Sequence, residues 1–483
     1  MRKPAPPVLI VGMKNRIRIN HALISTPLAA APLVATSILA GSVIVAPTAF
    51  GATAAAAPFS SATPFGSDAS LSAPQLPAGS TFPSSGALKT GGQEQTHYNG
   101  AFDLGQASKD PNVGGLSGLT ALADGSYLAI SDDKGDHGPT RAYRLNIDNN
   151  GRAKVTGQVN FTKPDGSAYN PKEYDAEEIQ QLPNGHLLWT TEGESKGSKN
   201  RSPLVIESDS NGREIRRIHP PRYHVPDHIA AKDIEQTKGI SPNKGPEGMT
   251  ISPDGETFYT LNENSLVQDG PINTPEAGSK TRLTAYSTAT GKPKAEYVVE
   301  VDPTYAPKAD RGYASLATSP DGSLYALQRG YIPKQGNRAE IYRLSLEGAT
   351  NVLGRERLDG SEVPVNREKV FDFAGQKPSD IHKLGDNQSS SGDKANTEAS
   401  PNISASPENV EGLTFAARPA HSADVPAHGS VTTGSLPAGS SAIGNHAGSS
   451  TSPAKLNRVY LISDNNFSDS QRTLLHSLDI PRR

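Results

Sequence analysis

The chain has no cysteine, which excludes disulfide frameworks, thiolate zinc sites, cysteine nucleophiles and a lipid anchor on a lipobox cysteine. Aromatic residues are scarce at 6%, with a single tryptophan, and hydrophobic residues reach only 34%. Long helical bundles and multi-span membrane proteins need more apolar surface than that. Glycine (46) and proline (39) are abundant instead, together more than one residue in six of the 483. That composition suits turn-rich β structure, and the length suits one large repeat domain with decorations. The formal charge is −3, but the first 57 residues carry five basic and no acidic groups, so the remainder holds 42 basic against 50 acidic residues, or −8. No nucleic-acid partner is expected of such a body.

Lys14, Arg16 and Arg18 precede a largely apolar stretch from Pro27 to Phe50, and the run Ala52 to Ala57 offers small residues for cleavage. This is the order of a secretory leader over 1–57; an uncleaved anchor is the competing reading, against which Pro27, Pro32 and Pro47 speak. Either way the body is expected outside the cytoplasm, secreted or held at the envelope, with no stable membrane span once the leader is removed. Residues 58–95 read as a disordered Ser/Pro/Ala-rich tether. Two similar stretches, about 385–407 and 418–454, read as insertions in the following body, 96–483.

Within that body the sequence repeats. GLSGLTALADGSYLAISDD, DAEEIQQLPNGHLLWTTEGE, GPEGMTISPDGETFYTLNEN and YASLATSPDGSLYALQRG align on Gly125, Gly185, Gly255 and Gly322, spaced 60, 70 and 67 residues apart. A fifth unit is split, ENVEGLTFA from Glu408 and NRVYLISDNN from Asn457. Alternating apolar residues on both sides of an Asp/Asn-Gly turn predict a β-hairpin in each. A third strand follows at 141–148, 202–209, 282–288, 339–346 and 473–480. Such units without helical periods between them predict an all-β fold, a β-propeller. Six blades are expected, with five or seven open, and a strand near His97 to Leu104 completes the last blade.

The phrases DAEEI (175–179), GPEGM (245–249), VEGL (410–413) and LISDNNFSDSQRTLL (461–475) resemble the phytase-like domain family described as "esterase-like activity of phytase", over about Gly115 to Ile480. The resemblance implies hydrolysis of a phosphoester or ester. One departure is Gln328-Arg329-Gly330 in the fourth unit, where the family pattern leads one to expect an acidic residue with the arginine.

The hairpin geometry makes its own prediction. Residues seven or eight before the turn glycine and seven after it share the open end, on strands about 4.8 Å apart. In a propeller these ends converge on the axis. Asp132, Glu177, Glu192, Glu247, Glu263, Glu411 and Asp464 are therefore expected in one ring with Arg329 as its basic member, and Asp133 and Asn465 beside them. Like charges so close cannot all ionise without a counter-charge. Calcium, a hard cation taking six to eight oxygen ligands, is the expected cofactor. The candidate ligands are Asp132, Asp133, Glu177, Glu192, Glu247, Glu263, Glu411, Asp464 and Asn465. Glu177, Glu247, Glu411 and Arg329 form the candidate catalytic set, with Arg329 clamping phosphate oxygens. A small phosphorylated substrate and a monomeric protein complete the expectation.

Blander readings stand beside it. The acidic ends could take backbone N–H bonds or one structural ion in a non-catalytic binding propeller, with Gly248 and Gly412 supplying unusual backbone angles after Glu247 and Glu411. Gly193-Glu194-Ser195-Lys196-Gly197 matches a nucleophile elbow in form, but no helical pattern follows, so a serine esterase is the least favoured alternative. His219, His224 and His228 lie in a proline-rich stretch that reads as an exposed loop. Trp189 reads as core.

Overall fold

A computed structural model describes residues 95–108, 112–196, 199–227, 235–375, 407–417 and 456–482. The expected leader (1–57), nearly all of the expected tether (58–95) and the expected insertions (385–407, of which only Pro407 is described, and 418–454) lie outside these residues. Everything described belongs to the unit spanning 87–483.

The described chain opens with β1 (His97–Asp103) and then forms blade one from β2 (Leu116–Ala121), β3 (Tyr127–Ser131), β4 (Arg141–Ile147) and β5 (Ala153–Asn160). Blade two comprises β6 (Ala176–Gln181), β7 (Leu187–Thr191), β10 (Leu204–Ser208) and β11 (Glu214–Ile218), with a separate ribbon of β8 (Glu194–Lys196) and β9 (Lys199–Arg201). Blade three is β12 (Pro246–Ile251), β13 (Thr257–Asn262), β14 (Ser279–Ser287) and β15 (Pro293–Val301). Blade four is β16 (Gly312–Thr318), β17 (Leu324–Ile332), β18 (Gly336–Ser345) and β19 (Asn366–Asp372). Blade five joins β20 (Asn409–Phe415), β21 (Leu456–Asp464) and β22 (Leu474–Pro481) to β1, so the first described strand closes the last blade as expected.

Each sheet is antiparallel, and the first strands β2, β6, β12, β16 and β20 touch one another in a closed cycle. The propeller thus has five blades, one of the numbers left open by the sequence: the five aligned hairpins are the whole ring. The hairpin turns form as their residues dictate. Gly125, Gly185, Gly255 and Gly322 have φ of 85°, 84°, 73° and 90°, a region costly for any residue with a Cβ. Each donates its N–H to the residue three before it, as in Gly185 to Leu182 at 2.8 Å.

The core is divided among the blade interfaces. Phe161, Ile179, Trp189 and Ile206 pack with Leu128 and Ile130 between blades one and two. Met249, Phe258 and Tyr286 meet Leu188 and Val205 between two and three. Equivalent clusters join three to four, four to five and five to one. Trp189 is fully buried, its indole N–H donating to Ser208 Oγ at 3.1 Å, so the core reading holds. No helix among the described residues is long and apolar enough to cross a membrane.

Candidate functional site: an acidic ring on the propeller axis

The site is built by a defect repeated five times. In every first strand the register with the second strand slips near the open end, between Leu116 and Gly118, Ala176 and Ile179, Pro246 and Gly248, Tyr313 and Ser315, and Val410 and Gly412. A β-bulge inserts an unpaired residue and re-aims its side chain. The inserted residues are Ser117, Glu177, Glu247, Ala314 and Glu411. Just beyond the second strands stand Asp132, Glu192 and Glu263, Asp464 ends β21, and Arg329 lies within the longer β17, opposite Gly312. Asp132, Glu192 and Glu263 are set by the same backbone bond, their N–H groups donating to the carbonyls of Gly115, Asp175 and Gly245 at 2.8, 3.0 and 2.7 Å.

The position after each bulge plugs the axis. It holds Gly118, Glu178, Gly248, Ser315 and Gly412. Glu178 and Ser315, on non-neighbouring blades, meet: Ser315 Oγ donates to Glu178 Oε2 at 2.5 Å and accepts the Leu413 N–H at 3.1 Å. There is no room for more. A Cβ on Gly118 would lie 2.6 Å from the Glu177 carbonyl oxygen, one on Gly248 3.0 Å from Leu316 N, and one on Gly412 2.9 Å from Leu119 N. None of the three glycines has a positive φ. The expectation that Gly248 and Gly412 supply unusual angles is therefore corrected: they permit close approach of neighbouring blades.

Side-chain oxygens of Asp175, Glu177 and Glu192 lie within 4.8 Å of one another, and so do those of Glu192, Glu247 and Glu263. Two carboxylate triads thus share Glu192. Asp132, Glu411 and Asp464 complete the ring; each feels the charge of a neighbour in it. Among the described residues three cations meet these eight carboxylates. Lys134 pairs with Asp175, Lys244 Nζ lies 2.7 Å from Glu263 Oε1, and Arg329 Nη2 lies 2.8 Å from Glu411 Oε1.

The deficit of positive charge shows in the acidities. Burial, then Asp175 and Glu263, push the Glu192 carboxyl up to about 8. Burial pushes Glu411 up to about 7 against the pull of Arg329. Glu177 rises well above the usual carboxylate range through burial, Asp175 and Glu247, Glu247 through burial, Glu263 and Glu192, and Asp132 through burial, Asp464 and Glu411. Burial also raises Asp175 and Asp464. Two carboxylate oxygens, Glu247 Oε2 and Asp464 Oδ2, are buried without a hydrogen-bond partner, as is Arg329 Nε. A buried acceptor left unpaired is costly, and an all-oxygen donor set with vacant lone pairs fits a hard divalent cation.

Two expected ligands are placed otherwise. Asp133 is held by Arg141 Nη1 at 2.6 Å and accepts the N–H groups of Gly135, Asp136 and His137; Arg141 first, then the His137 and Asp136 N–H groups, lower its pKa despite burial. Asn465 spends its Oδ1 on the N–H groups of Gly115 and Phe467. Both follow a ring residue directly and shape the loop behind it. Asp175, Lys134 and Lys244 are ring members that hairpin alignment missed; each lies within three residues of a position the alignment marked. Around Asp175 opens a cleft of about 250 Å³ that Lys134, Lys172, Glu194 and Arg201 also line.

The other motifs resolve plainly. Ser195 lies in β8, paired with Asn200 of β9, where an elbow would need a helix. His219 is exposed, and His228 lies outside the described residues. His224 is buried, contrary to the exposed-loop reading, with Nε2 2.7 Å from Glu296 Oε1.

Blade count, bulges and axial carboxylates together define a five-bladed propeller with an acidic site at the mouth of its closed channel. The chain belongs to the phytase-like family described as "esterase-like activity of phytase", which matches residues 111–425. No curated protein sequence matches it. Similar solved structures include a periplasmic gluconolactonase of Pseudomonas aeruginosa (15% identity, 52% of this chain and 71% of that one, TM-score 0.27). Others are a protein of unknown function from Dyadobacter fermentans (10%, 80% and 99%, TM-score 0.36) and a gluconolactonase of Xanthomonas campestris (11%, 80% and 88%, TM-score 0.24).

Proposed function

We propose that the protein is a secreted hydrolase that cleaves a phosphoester at the acidic ring with the help of calcium. The observation that carries this reading is the pair of carboxylate triads sharing Glu192, in a ring whose acids outnumber its cations. Asp175, Glu177, Glu192, Glu247 and Glu263 would hold the ions, with Asp132 and Asp464 completing the field. Bound calcium inverts the local charge, polarises a phosphoryl oxygen and acidifies water. The chain's own residues supply the rest. Arg329, fixed on Glu411 with Nε unpartnered, offers a donor to a phosphate oxygen. Lys134, Lys172 and Arg201 around the cleft draw an anion toward Asp175. Glu411, pushed up to about 7 chiefly by burial, is suited to accept a proton near neutral pH, beside Glu177 and Glu247, whose carboxyls burial and neighbouring acids also raise.

Purified protein should release phosphate from phytate or a simple aryl phosphate with calcium present, and stop when a chelator is added. Absence of release with every divalent cation tried removes catalysis from the reading. Melting that rises with calcium in the absence of turnover would make the protein a binding propeller instead.

A further inference from the structure

The loop after β21 carries a costly feature that the fold does not need. Asn466 and Phe467 have φ of 48° and 50°, consecutive left-handed residues, the second bulky enough to be a genuine outlier there. The surroundings force it. Asp464 Oδ1 accepts the Asn466 N–H at 2.8 Å, and Asn465 Oδ1 takes the N–H groups of Phe467 at 3.2 Å and of Gly115 at 3.1 Å. The first blade is carved to receive the ring. A Cβ on Gly114 would lie 3.0 Å from the Phe467 ring, and one on Gly115 would lie 2.6 Å from Phe467 and 2.3 Å from Asp132 Oδ1. The aromatic ring and the Asp132 carboxylate therefore flank the same bare glycine.

Phe467 belongs to none of the blade-interface clusters and is only half-buried. Its ring lies under the imidazole of His137, centroids 4.0 Å apart and planes 11° from parallel. His137 is exposed and anchored by its N–H to Asp133 at 3.1 Å. Strain, bare glycines and clamp converge on a flat surface at the edge of the acidic ring, with the Arg141 guanidinium 6.0 Å from the Phe467 centroid and no place in the blade-interface clusters.

We propose that the His137–Phe467 stack is a binding subsite for the planar organic group of an ester whose phosphoryl group sits at the ring. It rests on the reading of the ring as the phosphoryl site and adds the substrate class: aryl or other flat ring phosphates over short alkyl phosphates. Stacking of this kind changes affinity about threefold to tenfold.

The test is calorimetric binding of phenylphosphonate and methylphosphonate, neither of which is hydrolysed as an ester, to the whole protein with calcium. Wild type is expected to prefer the phenyl compound about threefold to tenfold, and Phe467→Leu and His137→Ala to lose that preference while binding methylphosphonate as before. Equal binding of both compounds by wild type, or equal weakening of both by the substitutions, overturns the proposal. Failure of both compounds to bind overturns it together with the phosphoryl site. Selective binding without turnover leaves the subsite standing and removes only catalysis. Phe467→Gly, which relieves the backbone, guards against misfolding: it should melt no lower than wild type and still lose the preference.

Discussion

Two regions of the propeller bury charge in opposite ways. In blade three, Arg282 lies between Asp269 and Glu296, donating to each at 2.6 Å, and Glu296 also receives His224, Thr284 and Tyr223 at 2.7, 2.8 and 3.0 Å. Burial would push the Glu296 carboxyl up, but His224 and Arg282 outweigh it and hold it at about 2. On the axis, burial wins and the carboxyls rise. The first group is complete and serves as a strut. The second has more acceptors than donors, which is the condition for taking up something from outside.

Breaking the strut gives the largest expected effect. Arg282→Met strands two buried carboxylates and should cost about 3–5 kcal/mol, measured by urea denaturation, by the same amount with calcium or chelator. Glu192→Gln should do the reverse. It removes the negative charge of the carboxylate shared by both triads, so calcium no longer raises the melting temperature, forfeiting about 2.7 kcal/mol where wild type is stabilised at a hundredfold excess over Kd. With chelator the variant should be no less stable than wild type at pH 8.

A pH titration sharpens the contrast further. Glu411 and Glu192 bind protons more tightly folded than unfolded, so their contribution is fully present below about pH 4.3 and is lost as pH rises through about 7 and about 8. Chelated protein should therefore lose stability steadily from pH 5 to pH 8 in urea denaturation, a slope that calcium flattens. Glu296, held low, adds none in that window. The smallest effect is Lys134→Ala, whose half-exposed pair with Asp175 is worth about 0–1 kcal/mol, visible as a tighter calcium midpoint in the melting titration.

Much of this architecture was legible before any coordinates. The turn glycines and the third strands fell where alternation put them, because half-buried central strands must alternate. The outer strands were harder: β5, with its largely exposed AKVTGQVN, has little apolar signal to give. The ring positions followed from counting to the open end of each hairpin, yet the bulges that aim Glu177, Glu247 and Glu411 leave no mark of their own. Adjacent residues were the weak point. Asp133 and Asn465 look like ligands beside Asp132 and Asp464, but neighbours on an extended chain face apart. Asp175, Lys134 and Lys244 reach the ring from loops, where periodicity is silent. His224 misled because prolines suggested exposure, whereas Glu296, 72 residues away in sequence, draws it inside.

The pairing of β1 with β22 has a consequence for biogenesis. Blade five supplies Glu411 and Asp464 from β20 and β21 and finds its outer edge in β1, the first of the described strands. A nascent polypeptide still attached to the ribosome short of β22 holds all eight ring acids but lacks the third strand of blade five and leaves β1 without its partner. Completion of the fifth blade is thereby postponed until β22 has been made, so that a product terminated before it leaves that blade open.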